Sequence, residues 1–572
     1  MLQKRAAALG GVMLLLLLGL VAALAVLIFG RGAQLSAAAW EQRLRSLPYC
    51  QYARGDILDR NGRPLVNVEE PCLVVLPAMI KGQEEPIAER LCGLLDMDRS
   101  RLAERLRAAG NSSFQPVVLM TGLTAAQKEA VYRADIPGVL VLTLAARYDR
   151  QHTASQLIGL VQEQEGDGVY TGVSGLERQY DGLLSGRVDA EIRLQVDAQG
   201  RVNGGPELYL PDTVCAPSLS LTLDKDYQQI AEQALAKTGL SGSCVVMDPY
   251  CGDILALASY PGFDPYGWKT AEPGAYMQRT LLPYPPASTF KTVLAAAALA
   301  EGVRPAPAET AAGPGQEDAN DGQAEQGKGD GNPASFICHG SYTLPDGRTV
   351  SCAGGAAHGE VDLARALALS CNCYFVALGQ ALGGERVLAY SRRLGLEQMT
   401  VIGLDAGSGD AVFFDFDPEQ AGELANVCLG EDGVSLSPLQ EAVLFSAFVN
   451  GGYLVRPRLV TATDDGKGGR KEYPALKPCR VLSPADAETM RLMLGLVVEE
   501  GTGRSAGSDI VSSGGKTGSS ETGVVWFSGF FPADRPRLVV AVCLEQGSSG
   551  GAEAAAVFRS VAEAITLLDG RI

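Results

Sequence analysis

The chain has 572 residues, too long for a single hydrophobic core, and roughly two to four domains are expected. Hydrophobic residues make up 46% and charged residues 20%, which excludes a disordered chain. The formal net charge of −18 repels phosphate backbones, so nucleic acid is not expected as a partner.

Lys4 and Arg5 precede an uncharged run rich in Leu, Ala and Val from Ala6 to Gly30, closed by Arg31. At about 1.5 Å per residue it is long enough for a hydrocarbon layer of about 30 Å. The leading positive charges predict a single pass with a cytoplasmic N-terminus and the rest of the chain outside the cell membrane. A cleaved signal peptide ending near Ser36-Ala37-Ala38 is the competing reading, but the apolar run is too long for one. Ala37 to Leu47 reads as a short helix. Asn61-Gly62 reads as a hairpin turn between Asp56-Ile57-Leu58 and Pro64-Leu65-Val66. Helical patterns at Ile87–Leu95, Arg99–Ala109 and Ala125–Arg133 then alternate with short strands such as Val117–Leu119.

The composition shifts near Pro211 to Pro217, and a second region begins there. Leu219–Leu223 reads as a strand, Asp226–Lys237 as a helix, and Cys244–Asp248 with Ile254–Ala258 as paired strands. Residues 305–333 carry no apolar periodicity and read as an acidic, flexible loop insertion. The expected division is therefore 1–33 as cytoplasmic tip and anchor, 34–215 as a second region, and 216–572 as a third. The thirteen cysteines have no C-x-x-C pair, and the only histidines are His152, His339 and His358. That pattern does not read as a zinc framework, so no metal is expected, and most cysteines read as scattered buried hydrophobes. Cys338 and Cys352 bracket a short polar loop and form the pair most readily bridged, if geometry allows.

Three motifs carry chemistry. Ser288 and Lys291 stand three apart where Pro285-Pro286 lead into the helix Thr292–Ala300, so one turn stacks their side chains. A desolvated lysine amine can take the proton of a serine hydroxyl, and the first helical turn aims N–H groups at a developing oxyanion. Ser370-Cys371-Asn372 falls inside the helical pattern Val361–Leu378 and can relay a proton and hold an amide. Lys516-Thr517-Gly518-Ser519 precedes the strand Val524–Gly529; its small residues admit an extended peptide at a sheet edge, and Lys516 and Thr517 can meet a carboxylate. Each motif alone is more often structural: a capped helix, a local hydrogen bond, a glycine turn. Their joint order S-x-x-K, S-x-N, K-T-G is specific.

With these motifs the sequence resembles the penicillin-binding proteins and serine β-lactamases, and most closely the class B, monofunctional penicillin-binding proteins. The likeness runs nearly end to end. It includes Arg54-Gly55 with Asp59-Arg60-Asn61-Gly62, Gly175-Leu176-Glu177 with Tyr180-Asp181, His358-Gly359, Ser437-Pro-Leu-Gln440 and Asn450-Gly451-Gly452. Ala287 stands where that class usually carries Gly, and Gly430-Glu431-Asp432-Gly433 replaces its Gly-Gln-Gly segment.

The resemblance implies an α+β fold: an N-terminal transmembrane helix, an elongated α+β pedestal, and a transpeptidase domain with an antiparallel sheet flanked by helices. It implies a peptidoglycan D,D-transpeptidase in which a stem peptide acylates Ser288 and a second stem peptide takes the acyl group. Lys291 would be the base, Ser370 and Asn372 would assist, and Lys516, Thr517, Gly518 and Ser519 would bind the donor. The N–H groups of Ser288 and Ser519 would form the oxyanion hole, without a cofactor. β-Lactam antibiotics and a membrane glycosyltransferase of the shape, elongation, division and sporulation (SEDS) family are further implied partners. A β-lactamase or β-lactam sensor shares the same serine chemistry, and a non-catalytic scaffold would use residues 34–215 for contacts. Ser370-Cys371-Asn372, the long N-terminal region and the complete motif set favour the transpeptidase.

Overall fold

The computed structural model describes residues 2–26, 44–51, 54–110, 116–149, 151–163, 170–185, 188–195, 207–209, 216–305, 336–397, 399–405, 414–547 and 550–570. Leu2–Ala25 is helical, and Leu14 through Leu18 are exposed on it. Among the described residues, no helix is both long and apolar enough to cross a membrane. The helix expected at Ala37–Leu47 lies outside the described residues through position 43, and Leu44–Gln51 is a strand, so that expectation is corrected. Pairing with Val188–Gln195 across the whole strand supplies ladder bonds that local helical pattern cannot match. All but the first position of the 305–333 insertion also lies outside the described residues.

Contacts gather the chain into two compact units that interleave along the sequence. One comprises Met1–Ala53, Asn67–Arg147 and Gly186–Cys215; the other Arg54–Val66, Tyr148–Ser185 and Ala216–Ile572. A contiguous cut at 215 does not follow this grouping. In the first unit, Val66–Val75 is the middle strand of a three-stranded sheet. The helices Glu84–Leu95, Arg99–Gly110 and Ala125–Ala134 stand where the apolar periodicity places them. Leu91, Leu95, Leu102, Leu106 and Val131 join Leu73 and Val75 in one core.

In the second unit a five-stranded antiparallel sheet runs Ile254–Tyr260, Gly242–Met247, Leu538–Leu544, Val525–Phe531, Gly514–Ser519. Its strands are almost wholly buried, and side chains of its central strands alternate between two cores. Val245, Met247, Val539 and Ala541 face the helices Lys291–Glu301 and Pro438–Val449, whereas Val246, Val540 and Val542 face Ala552–Asp569. The sheet is thus a three-layer α/β/α filling, and Gly514–Ser519 is left as its free edge. The expected hairpin around Asn61-Gly62 closes through a Leu58–Pro64 bridge, but the ladder partner of Asp56–Leu58 is Ser218–Leu221, in parallel.

Arg54 and the Gly175–Asp181 motif meet inside this unit. The buried Arg54 guanidinium donates to the Glu177 carboxylate, to the Glu177 carbonyl at 2.9 Å and to Asp181 at 2.7 Å, and Gly172 N–H donates to Asp181 at 2.7 Å. Two motifs more than a hundred positions apart are one ion-paired clasp.

Candidate active site

The Ser288 turn is held from three sides. Pro285-Pro286 set the backbone for a 3₁₀ turn, Ala287–Thr289, which runs into the helix Lys291–Glu301. Trp526 Nε1 donates to Pro285 O at 2.8 Å, Ala287 N donates to Gly430 O at 2.7 Å, and Thr289 Oγ1 donates to Glu441 Oε1 at 2.7 Å. Ala287 has φ 51°, the left-handed region that favours glycine, which accounts for Gly being usual there. Gly430 has φ 76°, and a Cβ on it would stand 2.0 Å from the Ala287 carbonyl. Gly518 lets the edge strand pass over the turn, because a Cβ there would meet Pro286 O at 2.9 Å.

Lys291 opens a helix whose residues are buried through Ala298, so its amine has only protein to bond to. Its Nζ lies 3.0 Å from Ser288 Oγ, 3.0 Å from Ser370 O, 3.3 Å from Ser370 Oγ and 2.5 Å from Asn372 Oδ1. A neutral amine can donate to the Ser370 carbonyl and Asn372 and still offer its lone pair to the Ser288 hydroxyl. Burial pulls its pKa down to about 8, against the opposing pull of nearby thiols and Glu431.

Lys516 is also fully buried, on the edge strand. Its Nζ donates to Ser370 Oγ at 3.0 Å and to Thr517 O at 2.9 Å, and burial together with Lys291 holds its pKa well below the ordinary lysine range. Thr517 Oγ1 lies 2.7 Å from Thr502 Oγ1, and Ser519 is exposed at the strand end. Ser288, Lys291, Ser370, Asn372, Lys516 and Thr517 therefore form one hydrogen-bonded cluster, and Gly518 and Ser519 follow it along the edge strand.

Ser370 does not sit inside a helix, as its periodicity predicts. Leu363–Ala368 ends, Ser370 takes φ 54°, and a new helix starts at Asn372. The break turns the Ser370 hydroxyl and carbonyl and the Asn372 amide toward Lys291. Asn372 Nδ2 in turn donates to Ser351 O at 2.9 Å.

Three features escape sequence reasoning. Glu441 follows the Ser437–Gln440 capping box on the wholly buried helix Pro438–Val449, and burial pushes its carboxyl up to about 7. Its only signal is an acid in an apolar helix. Glu431 also rises to about 7, by burial, and accepts from Glu521 N at 3.2 Å. The third feature is a cluster among the cysteines, most of which are buried free thiols as their composition suggests. The sulfurs of Cys338, Cys352 and Cys371 and a ring nitrogen of His358 lie within 4.8 Å of one another, with Cys373 beside Cys352 at 3.4 Å. These are donors of the kind that hold zinc. They come from separate segments, so no short spacing announces them. Cys338 and Cys352 sulfurs are 3.7 Å apart, as free thiols.

Residues 242–330 and 345–563 match the model of the penicillin binding protein transpeptidase domain, and 51–207 match that of the penicillin-binding protein dimerisation domain. Stage V sporulation protein D of Bacillus subtilis is 30% identical over 543 residues, covering 90% of this chain and 78% of that protein. Peptidoglycan D,D-transpeptidase MrdA of Acinetobacter baumannii is 26% identical, covering 95% and 85%. The crystal structure of the D,D-transpeptidase domain of a peptidoglycan glycosyltransferase from Eggerthella lenta shares the fold, with a TM-score of 0.58 at 24% identity over 75% of this chain and 94% of that one. With its three motifs gathered at one buried lysine, the chain belongs to the penicillin-binding protein transpeptidase family.

Proposed function

We propose that the chain is a peptidoglycan D,D-transpeptidase that works through a serine acyl-enzyme and is acylated by β-lactams. The observation that carries this is the Lys291 amine, desolvated and 3.0 Å from Ser288 Oγ, in a pocket shared with Asn372 and Lys516. Lys291 takes the Ser288 proton as the hydroxyl attacks the penultimate D-Ala carbonyl of a stem peptide, and terminal D-Ala leaves with a proton returned through Ser370. Lys516 and Thr517 receive the donor carboxylate, and the N–H groups of Ser288 and Ser519 meet the oxyanion. The donor lies along the edge strand Gly514–Ser519, and Asn372 holds its amide. An amine of a second stem peptide then takes the acyl group, completing the cross-link.

The apolar run Ala6–Gly30, whose last four residues lie outside the described ones, anchors the chain with its N-terminus in the cytoplasm, and the catalytic domain works outside the membrane beside a SEDS-family glycosyltransferase. Its apolar run and flanking charges support that reading. Fluorescent penicillin tests the chemistry: the full chain forms one stable adduct, and Ser288→Ala forms none. A wild-type chain that never labels would end the acyl-enzyme reading. Rapid release of label with turnover in excess would make it a β-lactamase.

A further inference from the structure

The second half of the transfer leaves a proton to place. An acceptor amine is an ammonium ion in neutral water, and its nitrogen must shed two protons to become an amide N–H. One is needed by Ser288 Oγ as the ester C–O bond breaks, and the other is surplus. Lys291 can carry the first: its amine is fully buried, offers one lone pair, and lies 3.0 Å from the oxygen that must be reprotonated. Holding the surplus proton as well would leave it charged and no longer a base. Glu441 is wholly buried beneath the turn and engaged by Thr289.

Glu431 is placed to take that proton. The helix Ala421–Leu429 ends at Gly430, whose carbonyl accepts from Ala287 N at 2.7 Å, so Glu431 directly follows the contact that holds the nucleophile turn. Its own N–H donates to Asn426 O at 3.1 Å, and its Oε2 accepts from Glu521 N at 3.2 Å. Glu521 stands two positions beyond Ser519, the last residue of the edge strand. The residue therefore spans from the Ser288 turn to the strand end, and its charge reaches Lys291. It is half-buried, between the enclosed amine and the exposed side chains of Asp432 and Glu521. Burial, reinforced by those two acids, brings its proton affinity into the neutral range. An acid just past the negative end of a helix, with two more acids beside it, costs the fold stability, so packing does not account for it.

We propose that Glu431 is the base that deprotonates the acceptor ammonium before it attacks the acyl-enzyme, which makes it a catalytic residue of the second half-reaction. This rests on the transpeptidase reading and deepens it: the acceptor is an amine that is a cation in neutral water. The Glu431 carboxylate takes one N–H proton, and the lone pair so freed forms the N–C bond at the Ser288 ester carbonyl. Lys291 takes the second proton and hands it to Ser288 Oγ as the C–O bond breaks. Glu431 then loses its proton to water, and both bases are reset.

The test uses the full chain in detergent with a D-alanyl thioester donor, whose released thiol reports acylation of Ser288. Two acceptors compete for the acyl-enzyme at pH 7: D-alanine, whose nitrogen is a cation, and hydroxylamine, which is already neutral. Mass spectrometry reads the ratio of amide to hydroxamate. Glu431→Gln is expected to lower that ratio about tenfold or more. Glu521→Gln, which keeps its backbone N–H, is expected to stay within about twofold of wild type. Both acceptors draw on the same acyl-enzyme, so slower acylation or a partly unfolded sample cancels from the ratio. A Glu431→Gln ratio equal to that of wild type overturns the proposal. So does a variant that consumes the donor and yields neither product, or a wild type that forms hydroxamate but no amide. A wild type that releases no thiol refutes the acyl-enzyme reading and this proposal with it, whereas a failure confined to the ratio leaves that reading standing.

Discussion

Glu441→Gln tests how the buried helix under the nucleophile is held. The carboxyl is fully buried, and burial raises its pKa to about 7 from the ordinary 4.5 of a glutamate. The folded state thus keeps its proton between those pH values while the unfolded chain has released it. Stability contributed by that proton is complete below pH 4.5 and lost as pH rises through 7. At about 1.4 kcal/mol per pKa unit, the ionised carboxylate costs the fold about 3 kcal/mol above pH 8. Glutamine keeps the acceptor for Thr289 Oγ1 and points an N–H toward Ser528, with no proton to lose. The variant is expected to match wild type near pH 4.5 and to exceed it by about 3 kcal/mol at pH 8. In a unit of roughly 400 residues that is about 4 °C in Tm, since unfolding entropy is about 2 cal/mol/K per residue. Thermal unfolding of both proteins across this range measures the difference directly. An equal Tm difference at pH 5 and pH 8 would refute the reasoning, because a lost contact alone does not titrate.

Penicillin acylation at subsaturating drug is expected to rise about tenfold per pH unit from 6 to 7 and to level off above pH 8, following the neutral fraction of Lys291. Lys516, Glu431 and the thiols of Cys352, Cys371 and Cys373 face that amine. Glu431→Gln removes a negative charge that raises the Lys291 pKa and moves the profile's midpoint to lower pH, which stopped-flow acylation can resolve. Arg54→Ala takes the guanidinium away from the buried Glu177 carboxylate and is expected to cost about 3–5 kcal/mol in chemical denaturation, with Arg54→Lys rescuing little of it. Gly430→Ala pushes a methyl into the Ala287 carbonyl, and acylation is expected to fall at least tenfold while the first unit unfolds as before in limited proteolysis.

The parts legible in the sequence are those whose period or spacing survives folding. Lys291 follows Ser288 by one turn, and the helices at residues 84–110 and 125–134 repeat apolar residues at helical intervals. What was hidden depends on backbone signs and long-range meetings. The left-handed Ser370 that breaks its helix has no marker in a run as apolar as Val361–Leu378. Arg54 and Glu177 each stood in a recognisable motif, but nothing local says that one pairs with the other. The clustered cysteines looked scattered because Cys338, Cys352 and Cys371 meet His358 from three strand ends and a helix cap. The strand at Leu44–Gln51 is formed by its partner Val188–Gln195, and a helical pattern yields to that pairing.

Under the proposed roles, the two buried lysines tie the state of the base to the arrival of the donor. Ser370 Oγ lies 3.3 Å from Lys291 Nζ and 3.0 Å from Lys516 Nζ, so one hydroxyl bridges two buried amines. Burial penalises a proton on both amines, and Lys291 further lowers the proton affinity of Lys516. A carboxylate arriving at Lys516 and Thr517 stabilises charge on Lys516. That charge then disfavours a proton on Lys291, the state a general base requires. Under the proposed roles, the group that identifies the donor also sets the base, and a donor lacking its terminal carboxylate is expected to lose acylation rate more than affinity. A truncated ester substrate with rate and affinity reduced in equal measure would separate simple binding from this coupling.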